Sequence, residues 1–359
     1  MNNERVLATI RQIDDISLIE NADFIERAEI GGWNVVVKKG EFKPGDKCVY
    51  FEVDSMLPDE PQYSFLADSS WKPTHQRYRL RTIKLRGVIS QGLALPLSAF
   101  EGKDLPTELD ADVTELLNVE KYEPYIPANL QGIRKGNFPW FIPKTDEKRF
   151  QNIVPMLSEI KEREWAVSEK LDGTSTTYYI RDGEFGFCSR NIEFKPETDN
   201  KYADIAKQYH LENHMIEEHI RNKKNFAIQG EIIGEGIQGN KYKIVGHKLF
   251  LFAAWDIDEQ KYFDHNEFVK LASHLGIQTV PFILLNYVLP EGITKEEIIA
   301  MADGNSVFTI KTPGYGGYFY DTIHREGIVF KSMKEEYHPR YGRYSFKVIS
   351  NNFLLKHNE

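Results

Sequence analysis

Up to about residue 120 the chain alternates apolar and polar positions in short runs separated by turn residues. Val6–Ile13, Trp33–Lys38, Lys47–Val53, Tyr78–Leu85 and Leu93–Leu97 each read as a strand with one buried face. Lys43-Pro44-Gly45-Asp46, between two of them, is a reverse-turn sequence. Short strands at this density predict a small β-barrel of the OB type, and periodicity alone leaves an SH3-like barrel open. The stretch 123–143, rich in Gly, Pro and aromatics, predicts a linker between a first domain, 1–122, and a second, 144–359.

The second region mixes strands with a few helices. Thr174–Ile180 and Phe185–Ser189 predict a hairpin closed by the two-residue turn Asp182-Gly183. Asp199–Asn222 predicts one long amphipathic helix, and Asn266–Gly276 and Lys295–Ala302 predict two more. Leu249–Ile257 is a continuous apolar run of buried-strand type. The fold class expected is α+β: an OB-like barrel, then a domain built on antiparallel sheets with flanking helices.

Composition narrows the class. The 359 residues suffice for two cored domains, and 41% hydrophobic with 13% aromatic content excludes a disordered chain. No apolar run reaches the roughly 20 residues that cross a bilayer, and the polar start is no signal peptide. Cys48 and Cys188 lie far apart, which supports neither a disulfide framework nor a cysteine zinc site. A reducing, cytoplasmic compartment and a monomer are expected. His210 and His214, one helical turn apart, lack a third ligand and read as exposed helix histidines rather than a metal site.

Charge adds one feature. The net charge is −9, yet residues 71–87 hold six Lys or Arg and no acid. Arg77, Arg79 and Arg81 alternate, so on one strand they would share a face that a phosphate backbone could meet. A basic edge that discourages aggregation is the alternative.

The candidate chemistry centres on Glu169-Lys170-Leu171-Asp172-Gly173-Thr174. A lysine two residues before a carboxylate at a glycine suits an amine that attacks the α-phosphate of a nucleoside triphosphate. Such an amine needs cationic neighbours, a metal or partial desolvation to lower its pKa. Further fragments follow in order: Ser189-Arg190-Asn191, the strand ending in Glu231, Trp255-Asp256, Glu326 to Lys331, and Tyr344-Ser-Phe-Lys347.

This ordered series resembles the motifs of covalent nucleotidyltransferases, the superfamily of ATP-dependent polynucleotide ligases and mRNA capping enzymes. Within it, the chain is similar to RNA ligases with an OB domain ahead of the catalytic domain. The resemblance implies an adenylyltransferase (ATP-grasp-like ligase) domain in which Lys170 forms the lysyl-adenylate. Asp172, Glu231 and Glu326 would serve the ribose and a Mg²⁺ or Mn²⁺ ion. Arg190, Lys331 and Lys347 would contact phosphates. One departure stands out: the last motif often reads Lys-x-Lys, and here Ser345 takes the first lysine position, so that either Lys347 suffices or Arg343 makes a different contact. Adenine would stack on Trp255, with Phe252 the fallback and core packing the rival reading of Trp255. Lys148 and Arg149 would reach the β- and γ-phosphates or line a solvated helix face.

Only 12 residues follow Lys347. That order favours an RNA ligase, which would use ATP to join a 5′-phosphate to a 3′-hydroxyl in nicked or broken RNA. A GTP-using enzyme or DNA ligase, and an inactive nucleic-acid-binding relative, are the alternatives.

Overall fold

A computed structural model of the chain describes residues 5–123, 132–314, 317–339 and 341–357. The chain divides into two compact units. The first comprises residues 1–125, 151–155 and 351–359, and the second 126–150 and 156–350.

The first unit is an assembly of small antiparallel sheets. Lys47–Phe51 lies between Ala8–Gln12 and Leu93–Pro96, and Asp15–Leu18, Ile25–Ile30 and Trp33–Lys38 form a meander. Lys47–Phe51 is buried on both faces. Val49 and Phe51 enter one core with Leu7, Ile10, Tyr63 and Tyr78, whereas Cys48 and Tyr50 enter another with Trp33, Val35 and Val37. A period of two across a doubly covered strand yields this split.

The run Tyr78–Leu85, expected as one strand, is two. Arg77–Arg79 pairs with Ser55–Leu57, and Thr82–Leu85 pairs with Val88–Gln91. The chain changes sheets at Leu80 and Arg81, as strands do at the corners of small barrels.

The second unit holds two facing sets of strands. One sheet has the order Arg134–Asn137, Ile192–Phe194, Glu184–Ser189, Thr174–Arg181, Phe226–Gly234, His247–Asp256, Lys261–Tyr262, antiparallel throughout. The other runs Lys148–Arg149, Ser345–Ile349, Gly327–Ser332, Glu164–Lys170, Phe282–Val288. Its Lys148–Arg149 strand is parallel to its neighbour and the rest are antiparallel. The chain thus adopts the α+β class expected, with helices packed on the seven-stranded sheet around Tyr178, Ile228, Leu251 and Met215.

Three expectations need correction. Part of the expected linker, 124–131, lies outside the described residues, but Arg134–Asn137 is an edge strand of the seven-stranded sheet rather than a tether. The final helix, Asn351–His357, groups with the first unit rather than with the catalytic region. The long helix is two, Lys201–Gln208 and Leu211–Asn222, because His210 between them is left-handed with φ 50° and ψ 38°. By contrast, Asp182 and Gly183 both have positive φ in a two-residue hairpin turn, as the sequence predicts.

Candidate active site

Glu164–Lys170 explains its own burial pattern. Trp165 packs on Phe330 and Phe346 on one face of the five-stranded sheet. Alternation therefore leaves Ala166, Ser168 and Lys170 on the opposite face, opposite Lys331, Val329 and Gly327 in register. Leu171-Asp172-Gly173 then carries the chain across to Thr174, the first residue of a strand in the seven-stranded sheet. Gly173 is required by close approach: an added Cβ would lie 2.4 Å from the Ile232 carbonyl oxygen.

Carboxylates from both sheets meet at this crossover. The Lys170 amine donates to Glu326 Oε1 at 2.6 Å. Glu231, on Phe226–Gly234, faces the same amine from the other sheet. Asp172 is buried, its Oδ2 is ion-paired with Lys241, and its backbone N–H donates to the Tyr242 hydroxyl at 2.8 Å.

The charges set the protonation. Burial pushes the Lys170 amine down, but Glu326, Glu231 and Asp172 outweigh it and hold it above the ordinary lysine value. This reverses the expectation of a lowered pKa, because three carboxylates surround the amine and the nearby cations do not offset them. Burial, aided by Glu326 and Asp172 and opposed by Lys170, pushes Glu231 up to about 8. Glu326 Oε2 is buried with no hydrogen-bond partner. Among the described residues, no three His, Cys, Asp or Glu side chains converge closely enough to hold a metal ion.

A cationic cluster lies alongside on the same sheet face. Lys331 donates to the Phe252 carbonyl at 2.8 Å and stands 3.5 Å from Glu147. Burial first, and Arg343 beside it, bring Lys331 down to about 8, against the pull of Glu147 and Glu335. Arg343 is held by Glu335 at 2.5 and 2.9 Å and reaches Glu147 at 3.6 Å. Lys347 lies opposite Val329 and, with Lys331 and Arg343, holds the Glu147 carboxyl below its usual range although burial opposes them. Arg343, Ser345 and Lys347 alternate along the chain, so an arginine joins the cluster that Ser345 does not charge.

The other expected residues are placed differently. Arg190 is exposed and pairs with Asp146 at 2.5 Å. Lys148 and Arg149 form a short strand rather than a helix face; Lys148 donates to the Tyr341 carbonyl at 2.5 Å and Arg149 is buried. Trp255 is only 7% exposed, packs edge-on against Tyr262 and donates its indole N–H to the Phe141 carbonyl. Phe252 instead lines a cavity with Ala166, Ser168, Phe282 and Lys331. A bulge between Gln229 and Gly230 leaves Phe252 without a partner in the strand register.

The open cationic face expected in the first unit is not formed. Arg77 bonds Glu120 at 2.6 Å and the Asn118 carbonyl, and Arg79 pairs with Asp54 and stacks 3.7 Å over Tyr122. Arg81 lies beyond the strand and donates to the Ser69 carbonyl. Residues that sequence reasoning missed are Lys241, Tyr242 and Glu147. Glu147 adjoins the flagged Lys148, but Lys241 and Tyr242 sit in an irregular segment with no periodic signal.

Comparison with known proteins bears on the family of the chain. A family model described as an OB-fold domain matches residues 7–97, and one described as RNA ligase matches 163–349. Among solved structures, Naegleria gruberi RNA ligase with PPi is 40% identical, with 99% of each chain covered and a TM-score of 0.84. An apo aspartate-to-alanine variant of that ligase is 39% identical, covering 99% of this chain and 98% of its own, with a TM-score of 0.86. A lysine-to-alanine variant with ATP and Mn is 39% identical, covering 98% and 99%, with a TM-score of 0.84. A comparison with curated proteins found no match. The chain belongs to the RNA ligase family.

Proposed function

We propose that this protein is an ATP-dependent RNA ligase whose nucleophile is Lys170. The observation that carries the reading is the Lys170 amine, 2.6 Å from Glu326 at the crossover of two sheets, with Lys331, Arg343 and Lys347 on the same face. The neutral amine attacks the α-phosphorus of ATP, a P–N bond forms, and the P–O bond to pyrophosphate breaks. An RNA 5′-phosphate oxygen then takes the AMP and frees the lysine. Attack by a 3′-hydroxyl on that activated phosphate forms the phosphodiester and expels AMP.

The residues divide the work. Lys331, Lys347 and Arg343 offset the negative charge that builds on the α-phosphate and on departing pyrophosphate. Arg190, Lys148 and Arg149 serve the outer phosphates. Phe252, rather than Trp255, stacks on adenine, since its ring borders the cavity and the Trp255 ring is committed to the core.

The carboxylates fit a Mg²⁺ or Mn²⁺ ion: Glu326 Oε2 lacks any partner and the amine is overbalanced by negative charge. Asp172, Glu231 and Glu326 would hold it largely through its waters, since they do not converge for direct chelation and such ions keep several waters. When bound, the ion offsets the carboxylates and so favours the unprotonated amine. Asp172 would share its carboxylate between Lys241 and that ion.

RNA is the partner that family membership supports, and we take a nicked duplex as its form and a monomer as the working state. The second unit would carry the chemistry, and the OB-fold match of the first, rather than its paired arginines, supports a part for it in holding RNA. No described helix is long and apolar enough to cross a membrane, and both cysteines are free and buried, which fits the cytoplasm. Incubation with labelled ATP and Mn²⁺, denaturing electrophoresis and a chase with 5′-phosphorylated nicked RNA test the reading. A labelled band that the chase removes supports it; a chain that takes no label contradicts it.

A further inference from the structure

We propose that Asp146 and Glu147 act as an internal anion on the phosphate-binding cations, so that nucleotide phosphates bind only by displacing them. This rests on the assignment of Lys331, Arg343, Lys347 and Arg190 to phosphate. Glu147 stands 3.5 Å from Lys331 and 3.6 Å from Arg343, and Lys347 also acts on it. Its neighbour Asp146 accepts from Arg190 at 2.5 Å. Two consecutive acids thus reach cations belonging to both sheets: Lys331 lies within Gly327–Ser332, and Arg190 follows Glu184–Ser189.

The contacts of Glu147 are those of a replaceable anion. Lys331 gives its short hydrogen bond to the Phe252 carbonyl, and Arg343 gives both of its short ones to Glu335. From these two cations Glu147 receives the longer contacts, beyond the roughly 2.7–2.9 Å of a strong charge-assisted bond, and Ser345 and Lys347 also act on it. Removing it would leave the cations anchored. Residues 143–147 have no regular structure, whereas Lys148–Arg149 is fixed by parallel pairing with Phe346 and Lys347. Gln229 donates to the Pro143 carbonyl at 2.8 Å and Thr145 bonds Ser175 at 2.9 Å, so the acids would leave the cations by side-chain rotation about an anchored segment. A triphosphate entering this cluster brings like charge against Glu147, which a low-dielectric site makes unfavourable. Asp146 and Glu147 are on this account positioning residues that set nucleotide affinity by acting on Lys331, Arg343 and Arg190.

The test uses the full chain, inorganic pyrophosphate and isothermal titration calorimetry in metal-free buffer. Glu147→Gln should bind pyrophosphate about tenfold more tightly than wild type, Asp146→Asn should bind more tightly by a smaller factor, and Glu147→Asp should stay close to wild type. In steady-state adenylylation, Glu147→Gln should lower KM for ATP without raising kcat. A residue that merely props up Lys331 and Arg343 would give the opposite result, weaker binding in Glu147→Gln. If Lys331→Ala abolishes binding while Glu147→Gln leaves it unchanged or weaker, the proposal fails alone. If pyrophosphate binds equally with and without Lys331, or binds no variant, the phosphate assignment fails with it.

Discussion

The Lys170 amine lies 2.6 Å from the Glu326 carboxylate, and the strand register accounts for the meeting. Lys170 pairs with Gly327, so Glu326 enters at the end of the same ladder. In the absence of metal the pair favours the protonated Lys170 amine, since Glu326 is the strongest of the charges opposing burial. Glu326→Gln should therefore make Lys170 more reactive in metal-free protein even as it impairs adenylylation. Carbamylation by cyanate at pH 8, followed by peptide mapping, should label Lys170 about tenfold faster if its pKa falls by about one unit. Slower labelling than wild type would mean that Glu326 does not hold the proton.

Lys331 gives a dependence on pH with a definite sign. Burial brings it down to about 8, so in the empty enzyme it is charged below that value and neutral above it. Pyrophosphate affinity should fall as pH rises from 7 to 9, while Lys331→Arg should keep its affinity across the range, because guanidinium stays charged. A wild-type affinity flat from pH 7 to 9 would remove Lys331 from phosphate binding.

Gly173 tests the geometry without touching a charged group. A Cβ there would lie 2.4 Å from the Ile232 carbonyl oxygen and 2.9 Å from Glu231 Cγ. Gly173→Ala should destabilise the fold by about 1–3 kcal/mol, read by denaturant unfolding, because backbone must shift to admit the methyl group. It should also abolish the protein–AMP adduct, since Lys170, Asp172 and Glu231 are moved apart. Normal stability together with normal adduct formation would show that the crossover is not tight.

Phe252 and Trp255 separate by which quantity they change. Phe252→Ala should raise KM for ATP by about tenfold or more, as loss of base stacking costs about 1–3 kcal/mol, and should leave unfolding almost unchanged. Trp255→Ala should instead destabilise the unit by about 3–5 kcal/mol, as a buried aromatic does. A KM effect confined to Trp255→Ala would restore the tryptophan as the stacking ring.

What was legible in the sequence follows from what is local. Trp33–Lys38 is bounded correctly because its periodicity and nearby glycines are contained in the run itself, whereas the strand expected to end in Glu231 continues through two apolar residues to Gly234. The left-handed His210 was not legible, since an apolar stripe continues on both sides of it. The Arg77, Arg79 and Arg81 pattern misled for another reason: Asp54 and Glu120, which neutralise two of them, are distant in sequence. Glu147 was hidden in the same way, because only the fold brings it to Lys331 and Arg343.

Mapping the adduct decides whether Lys170 carries the nucleotide. The full chain is incubated with ATP and Mn²⁺ and digested at neutral to alkaline pH, where a P–N bond survives, and the AMP-bearing peptide is sequenced by mass spectrometry. AMP is expected on Lys170 alone, with no adduct in Lys170→Met protein that is otherwise folded. AMP on another residue, or an adduct that persists in Lys170→Met, would contradict it.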